Sequence, residues 1–92
     1  MVRFYVPVPL RVFTAGRSEV EIAAEPATLR EALAALFALH PGLADRVLTE
    51  AGAIRPHVHV FVGADSVRGR GELDTPVPAG AEIAIMPAVS GG

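Results

Sequence analysis

The residues with the clearest chemical possibility are the last two, Gly91 and Gly92, which follow the apolar run Ile83-Ala84-Ile85-Met86-Pro87-Ala88-Val89 and one serine, Ser90. A strand that runs into Gly-Gly presents its carboxylate instead of burying it. Glycine has no Cβ, so such an end can thread a narrow channel and reach backbone angles closed to other residues. Ser90 to Gly92 can extend roughly 10 Å, at about 3.3 Å per residue, enough to enter a partner while the folded body stays outside. Chain ends are also commonly frayed and glycine-rich without any role, so the pair gains weight only from the chain that leads into it.

Other candidates offer less. His57 and His59 lie two apart in an alternating stretch and would share a strand face, where two imidazoles can ligate zinc given a third group. No cysteine is present and His40 sits at a helix end, so they read as ordinary half-exposed strand histidines, and no metal is expected. No serine or cysteine nucleophile accompanies them in a motif. Gly69-Arg70-Gly71 has the look of a phosphate loop but neither follows a long strand nor precedes a helix, so it fails the context of a nucleotide fingerprint. Arg68 and Arg70 read as solvated charges that could pair with acids on a partner.

Ninety-two residues allow one domain. Half of them are apolar, which argues against disorder throughout. No apolar run approaches the ~20 residues of a membrane span, and the start, Met1-Val2-Arg3-Phe4, is strand-like and not a leader; a cytoplasmic protein is expected. The charge is slightly negative and the arginines are scattered, so no nucleic-acid footprint is expected. Without cysteine there is no disulfide framework, and without lysine the chain cannot accept a side-chain isopeptide itself.

The elements follow from periodicity. Val2, Phe4, Val6 and Val8 alternate with Arg3, Tyr5 and Pro7, a strand over 2–8 that frays where Pro7 and Pro9 remove ladder donors. Thr14 to Ser18 turn, and Val20 and Ile22 alternate with Glu19 and Glu21 in a second strand. Thr28-Leu29-Arg30-Glu31 is a capping box opening a helix whose core face is Leu29, Ala32, Leu33, Leu36 and Phe37. Pro41 ends it at His40, and residues 41–48 form a short second helix or turn. A strand over 57–62 places three valines inward and His57, His59 and Phe61 outward. Gly63 to Ser66 turn, Val67-Arg68 is at most a short strand, and Glu82 to Pro87 is the last strand. A hairpin, a crossover helix and further strands is the order of a mixed sheet of four to five strands on one main helix, an α+β fold of the β-grasp type. The expected boundaries are a domain over 1–89 and a flexible Ser-Gly-Gly tail over 90–92.

Taken in order, Thr28-Leu29-Arg30-Glu31-Ala32-Leu33, His40-Pro41-Gly42-Leu43, Val58-His59-Val60-Phe61-Val62, Leu73-Asp74-Thr75-Pro76-Val77, Ala79-Gly80-Ala81-Glu82 and Met86-Pro87-Ala88-Val89-Ser90-Gly91-Gly92 resemble the ubiquitin-like sulfur carriers of the MoaD/ThiS family along essentially the whole chain. Val6-Pro7-Val8-Pro9-Leu10-Arg11 with Thr14-Ala15-Gly16 looks most like the CysO-type carriers of cysteine synthesis. The molybdopterin synthase small subunits usually have a Phe-Ala-x-x-Arg-Glu-like segment there, which this chain lacks. The resemblance implies a non-enzymatic carrier. An E1-like enzyme, using ATP and magnesium that the carrier itself does not bind, would adenylate Gly92. Sulfur would then replace the adenylate, and a sulfur-accepting synthase would receive it, in cysteine or thio-cofactor biosynthesis such as that of molybdopterin. A ubiquitin-like modifier joined to target lysines, or a plain β-grasp interaction domain, are the alternatives.

In such a fold strands one, three and five are neighbours. Tyr5, His59, Phe61, Ala84 and Met86 then make one apolar patch on the sheet face away from the helix. Relatives dock on their partners through this face, which makes those five residues the expected docking surface; a contiguous exposed apolar patch marks a binding surface more often than chance.

Overall fold

The computed structural model describes residues 1–87; Ala88 to Gly92, which hold the expected Ser-Gly-Gly tail and the end of the expected domain, lie outside the described residues. Alternating apolar residues build the strands β1 (Val2–Tyr5) and β2 (Glu19–Ile22). Helix α1 (Leu29–Leu39) and the four-residue α2 (Ala44–Val47) follow, with a 3-10 turn at Pro41–Leu43 between them. Strands β3 (Val58–Val62), β4 (Asp65–Ser66) and β5 (Glu82–Pro87) complete a sheet of order β2-β1-β5-β3-β4. The last strand of the sequence is therefore the central one, parallel to β1 and antiparallel to β3.

The capping box forms, with Thr28 Oγ1 accepting from the Glu31 N–H at 3.3 Å. The Glu31 carboxylate reaches one residue further back than the motif predicts, accepting from the Ala27 N–H at 2.9 Å. Leu29, Ala32, Leu33 and Leu36 of α1 meet Val2 and Phe4, Val20 and Ile22, Val58 and Val60, and Ile83 and Ile85 in one core. Burial of each large aliphatic or aromatic side chain contributes about 1.5–3 kcal/mol, which is why the inward residues of all four long strands are apolar.

The structure departs from the sequence pattern at three places. Strand β1 ends at Tyr5, and residues from Val8 to Thr14 form a 3-10 helix with proline in its first turn. Val8 is thus 68% exposed and not a core residue. Proline has no N–H for a ladder but is preorganised for a first helical turn, so Pro7 and Pro9 convert the alternation into a helix. The segment is tied down by Thr14, buried with its hydroxyl donating to the Arg17 carbonyl at 2.8 Å, and by Phe13, whose ring packs where a Cβ on Gly42 would sit. Second, the turn after β3 is two residues, Gly63-Ala64, so β4 begins at Asp65 and pairs Val62 with Asp65 and Phe61 with Ser66. Gly63 adopts φ 62, which favours glycine in a tight hairpin. Third, His57 precedes β3 and is exposed, and Val62 at the other end is only partly buried.

Candidate functional site

The strand register assembles the outward face. Tyr5 lies beside Ala84, and Ala84 beside Phe61, in one row across β1, β5 and β3. One step along, Met86 lies beside His59. Adjacent strands are about 4.8 Å apart, so the five residues are near neighbours, all opposite the buried Phe4, Ile83, Ile85 and Val60. Tyr5 and Met86 are about two-fifths exposed, and His59, Phe61 and Ala84 are half-buried. The short Ala84 side chain separates the two aromatic rings, leaving a shallow apolar face at the end of the sheet towards which β5 runs.

Towards the other end the face turns polar. Arg3 on β1 lies between Glu82 on β5 at 3.3 Å and Glu19 on β2 at 3.9 Å. These are exposed pairs, each worth at most about 1 kcal/mol; they matter as a boundary to the apolar patch.

Arg11 is a contributor that sequence reasoning passed over. Its Nε donates to the Val6 carbonyl at 3.0 Å, its Nη2 donates to the Tyr5 hydroxyl at 3.3 Å, and the guanidinium lies 5.8 Å from the Tyr5 ring centroid. No spacing rule links residues 5 and 11; the 3-10 helix brings them together. His57 stands outside the row formed by His59. Among the described residues no group of three or more His, Cys, Asp or Glu is placed to hold a metal ion. No helix of the described residues is long and apolar enough to cross a membrane.

Comparison with known proteins places this geometry in a family. The ThiS family model matches residues 5–92. The sulfur carrier protein CysO of Mycobacterium tuberculosis is 30% identical over 89 residues, covering 95% of this chain and 94% of that one. A chain in the crystal structure of the Amycolatopsis orientalis BexX/CysO complex superposes with a TM-score of 0.89 at 33% identity, covering 100% of both chains. The crystal structure of SAMP1 from Haloferax volcanii superposes with a TM-score of 0.81 at 30% identity, covering 99% of this chain and 98% of that one. The fold is therefore the ubiquitin-like β-grasp, and the chain belongs to the ThiS family.

Proposed function

We propose that this protein is a sulfur carrier whose chemistry resides in the Gly92 carboxylate. The observation that carries the reading is the ThiS-family match extending through Gly92, with CysO-like relatives over nearly the full chain. A terminal carboxyl has a pKa of about 3.5 and is an unreactive carboxylate at neutral pH. Transfer of AMP from ATP to one carboxylate oxygen, with loss of pyrophosphate, gives a mixed anhydride. Attack by sulfide on its carbonyl expels AMP and leaves a thiocarboxylate directly. Attack by a protein persulfide expels AMP and gives an acyl disulfide, which a thiol then cleaves to the thiocarboxylate, the thiol and the donor cysteine leaving as a disulfide. An E1-like enzyme would supply the ATP and magnesium, and a synthase would accept the sulfur. The CysO-type relatives favour cysteine synthesis over molybdopterin as the destination.

In this reading Tyr5, His59, Phe61, Ala84 and Met86 form the docking surface. The fold supports it by making β5 both the centre of that patch and the strand that leads to the terminus. Gly91 and Gly92 give the partner's channel a chain without side chains and a carbonyl open to attack.

A second reading has its own support. SAMP1 of Haloferax volcanii, a small archaeal modifier protein, is 36% identical over 66 residues, so amide transfer of Gly92 to a lysine on another protein is the alternative outcome. The two share the adenylation step and differ in product.

The test is intact-mass and C-terminal peptide analysis after incubation with ATP, magnesium, a sulfur donor and an E1-like enzyme of the source organism. Exchange of one oxygen for sulfur at Gly92 is expected. Joining of Gly92 to lysines would select the modifier reading, and no change at the terminus would leave a β-grasp interaction domain. Deletion of Gly92 is expected to abolish thiocarboxylation while leaving the melting curve unchanged; a truncated chain modified at its new end would overturn the assignment.

A further inference from the structure

Strand β5 reaches its last described residue, Pro87, between β1 and β3, and each of these neighbours has a guanidinium on its side away from β5. On one side Arg11 is held on the Val6 carbonyl at the end of β1. On the other, Arg68 donates to the Val58 carbonyl, at the start of β3, and to the Arg55 carbonyl at 3.2 Å. Val58 is the register partner of Pro87, and Val6 follows Tyr5, which is level with Ala84. The two arginines thus flank the same end of the β1-β5-β3 strip.

Both are fixed by backbone carbonyls and not by acids. Among the described residues, the ion pairs engage Arg3, Arg30 and the amino terminus, so the positive charges of Arg11 and Arg68 are not neutralised there. The nearest acid on the neighbouring strand, Glu19, is turned to Arg3. Several acids lie at the other end of the sheet: Glu82 begins β5, Glu21 lies near the end of β2, Glu25 holds the amino terminus, and Asp65 pairs with the end of β3. Near Arg68, the Glu72 carboxylate is engaged by the Gly69 N–H at 2.6 Å. A chain of net charge −2 therefore still presents two arginines without an ion pair among the described residues at this end.

We propose that Arg11 and Arg68 form a cationic gate that receives two separate carboxylates of a protein partner, one on either side of the β1-β5-β3 strip. This rests on the carrier reading and names the chemistry of the partner's surface. Strands β1 and β3 are two strand spacings apart, about 10 Å, and the guanidiniums lie beyond that on their outer sides. A single phosphate or carboxylate cannot bridge them, whereas two acids on one protein surface can. Each guanidinium has five N–H donors in a rigid fork, so donors remain after the carbonyl bonds. Because both forks are already oriented, little rotamer freedom is lost on docking. Two such charges also steer an acidic partner onto the end of the sheet towards which β5 runs.

The direct test follows all the arginine Nε–Hε resonances by NMR as hexaglutamate is added at low salt. Arg11 and Arg68 should shift saturably, Arg46 and Arg70 much less, and the response should weaken at about 150 mM salt. Equal movement of all arginines, or none, overturns the gate. The second test uses the E1-like enzyme that adenylates the wild-type carrier. Arg11→Ala with Arg68→Ala should raise the KM for carrier about tenfold at low salt with kcat unchanged. Arg11→Lys with Arg68→Lys should retain most of the affinity, and Arg30→Ala should behave as wild type. An adenylated wild type with an unchanged KM in a folded alanine pair also overturns the gate. A wild type that is not adenylated counts against the carrier reading instead, and the peptide titration then decides the gate.

Discussion

At Thr28 a hydroxyl and, three residues on, a carboxylate close the start of α1 from opposite sides. Thr28→Ala is expected to destabilise the domain by about 1 kcal/mol, lowering the melting temperature by roughly 4–8 °C for a domain of this size. A thermal melt monitored by circular dichroism checks it; a shift within error would mean that the 3.3 Å contact contributes nothing net. This residue was legible in the sequence because its partner is three positions away and the pattern is local. Arg11 was not. Its partners, Tyr5 and the Val6 carbonyl, are close in sequence, but they meet it only because the chain turns helical at Val8 instead of continuing as a strand. Arg68 was legible as a charge that could face a partner, while its attachment to the Val58 and Arg55 carbonyls depends on where β4 begins.

At the scale of elements, period-two and period-3.6 patterns identified the four longer strands and α1, and β5 has the bounds that its alternation predicts. The alternation across residues 2–8 misled, because Val6 and Val8 fit a strand while the flanking prolines fit a helical first turn, and the proline geometry prevails. Pairing order is not contained in any local pattern. That β5 is central follows from the pairing of β1 with β5 and of β3 with β5. Central placement has an energetic consequence. Ile83 is fully buried on β5, whereas Val62 at the end of β3 is only partly so. Ile83→Ala is expected to cost about 2–5 kcal/mol, and Ile83→Val about 0.5–1.5 kcal/mol. Typical domains hold 5–15 kcal/mol in total, so the alanine variant should bring the chain near unfolding. Urea titrations should show the midpoint falling in the order wild type, Ile83→Val, Ile83→Ala with a common m-value; a cost for Ile83→Ala no larger than for Val62→Ala would contradict the central role of β5.

The whole molecule is divided by its sheet into a face that stabilises and a face that is free to bind. Phe4, Ile83, Ile85 and Val60 hold the fold from one side, so the other side can vary without unfolding the chain. That separation makes the docking reading testable at Phe61. Its ring is half-buried in the outward row with Ala84 and Tyr5, beside the strand that leads to the terminus. Phe61→Asp places a carboxylate in an apolar patch on the face away from the core. The stability cost should be modest, because the side chain remains open to water. Binding to an E1-like partner should fall by one to two orders of magnitude, about 1.4 kcal/mol per factor of ten, since a buried unpaired carboxylate must be desolvated at the interface. This effect should persist at high salt, unlike loss of the arginine gate, which acts through charge steering and weakens as the Debye length shortens. Calorimetric titration of the folded variant at low and high salt separates the two. An unchanged affinity in both conditions would remove Phe61, and with it the centre of the patch, from the docking surface.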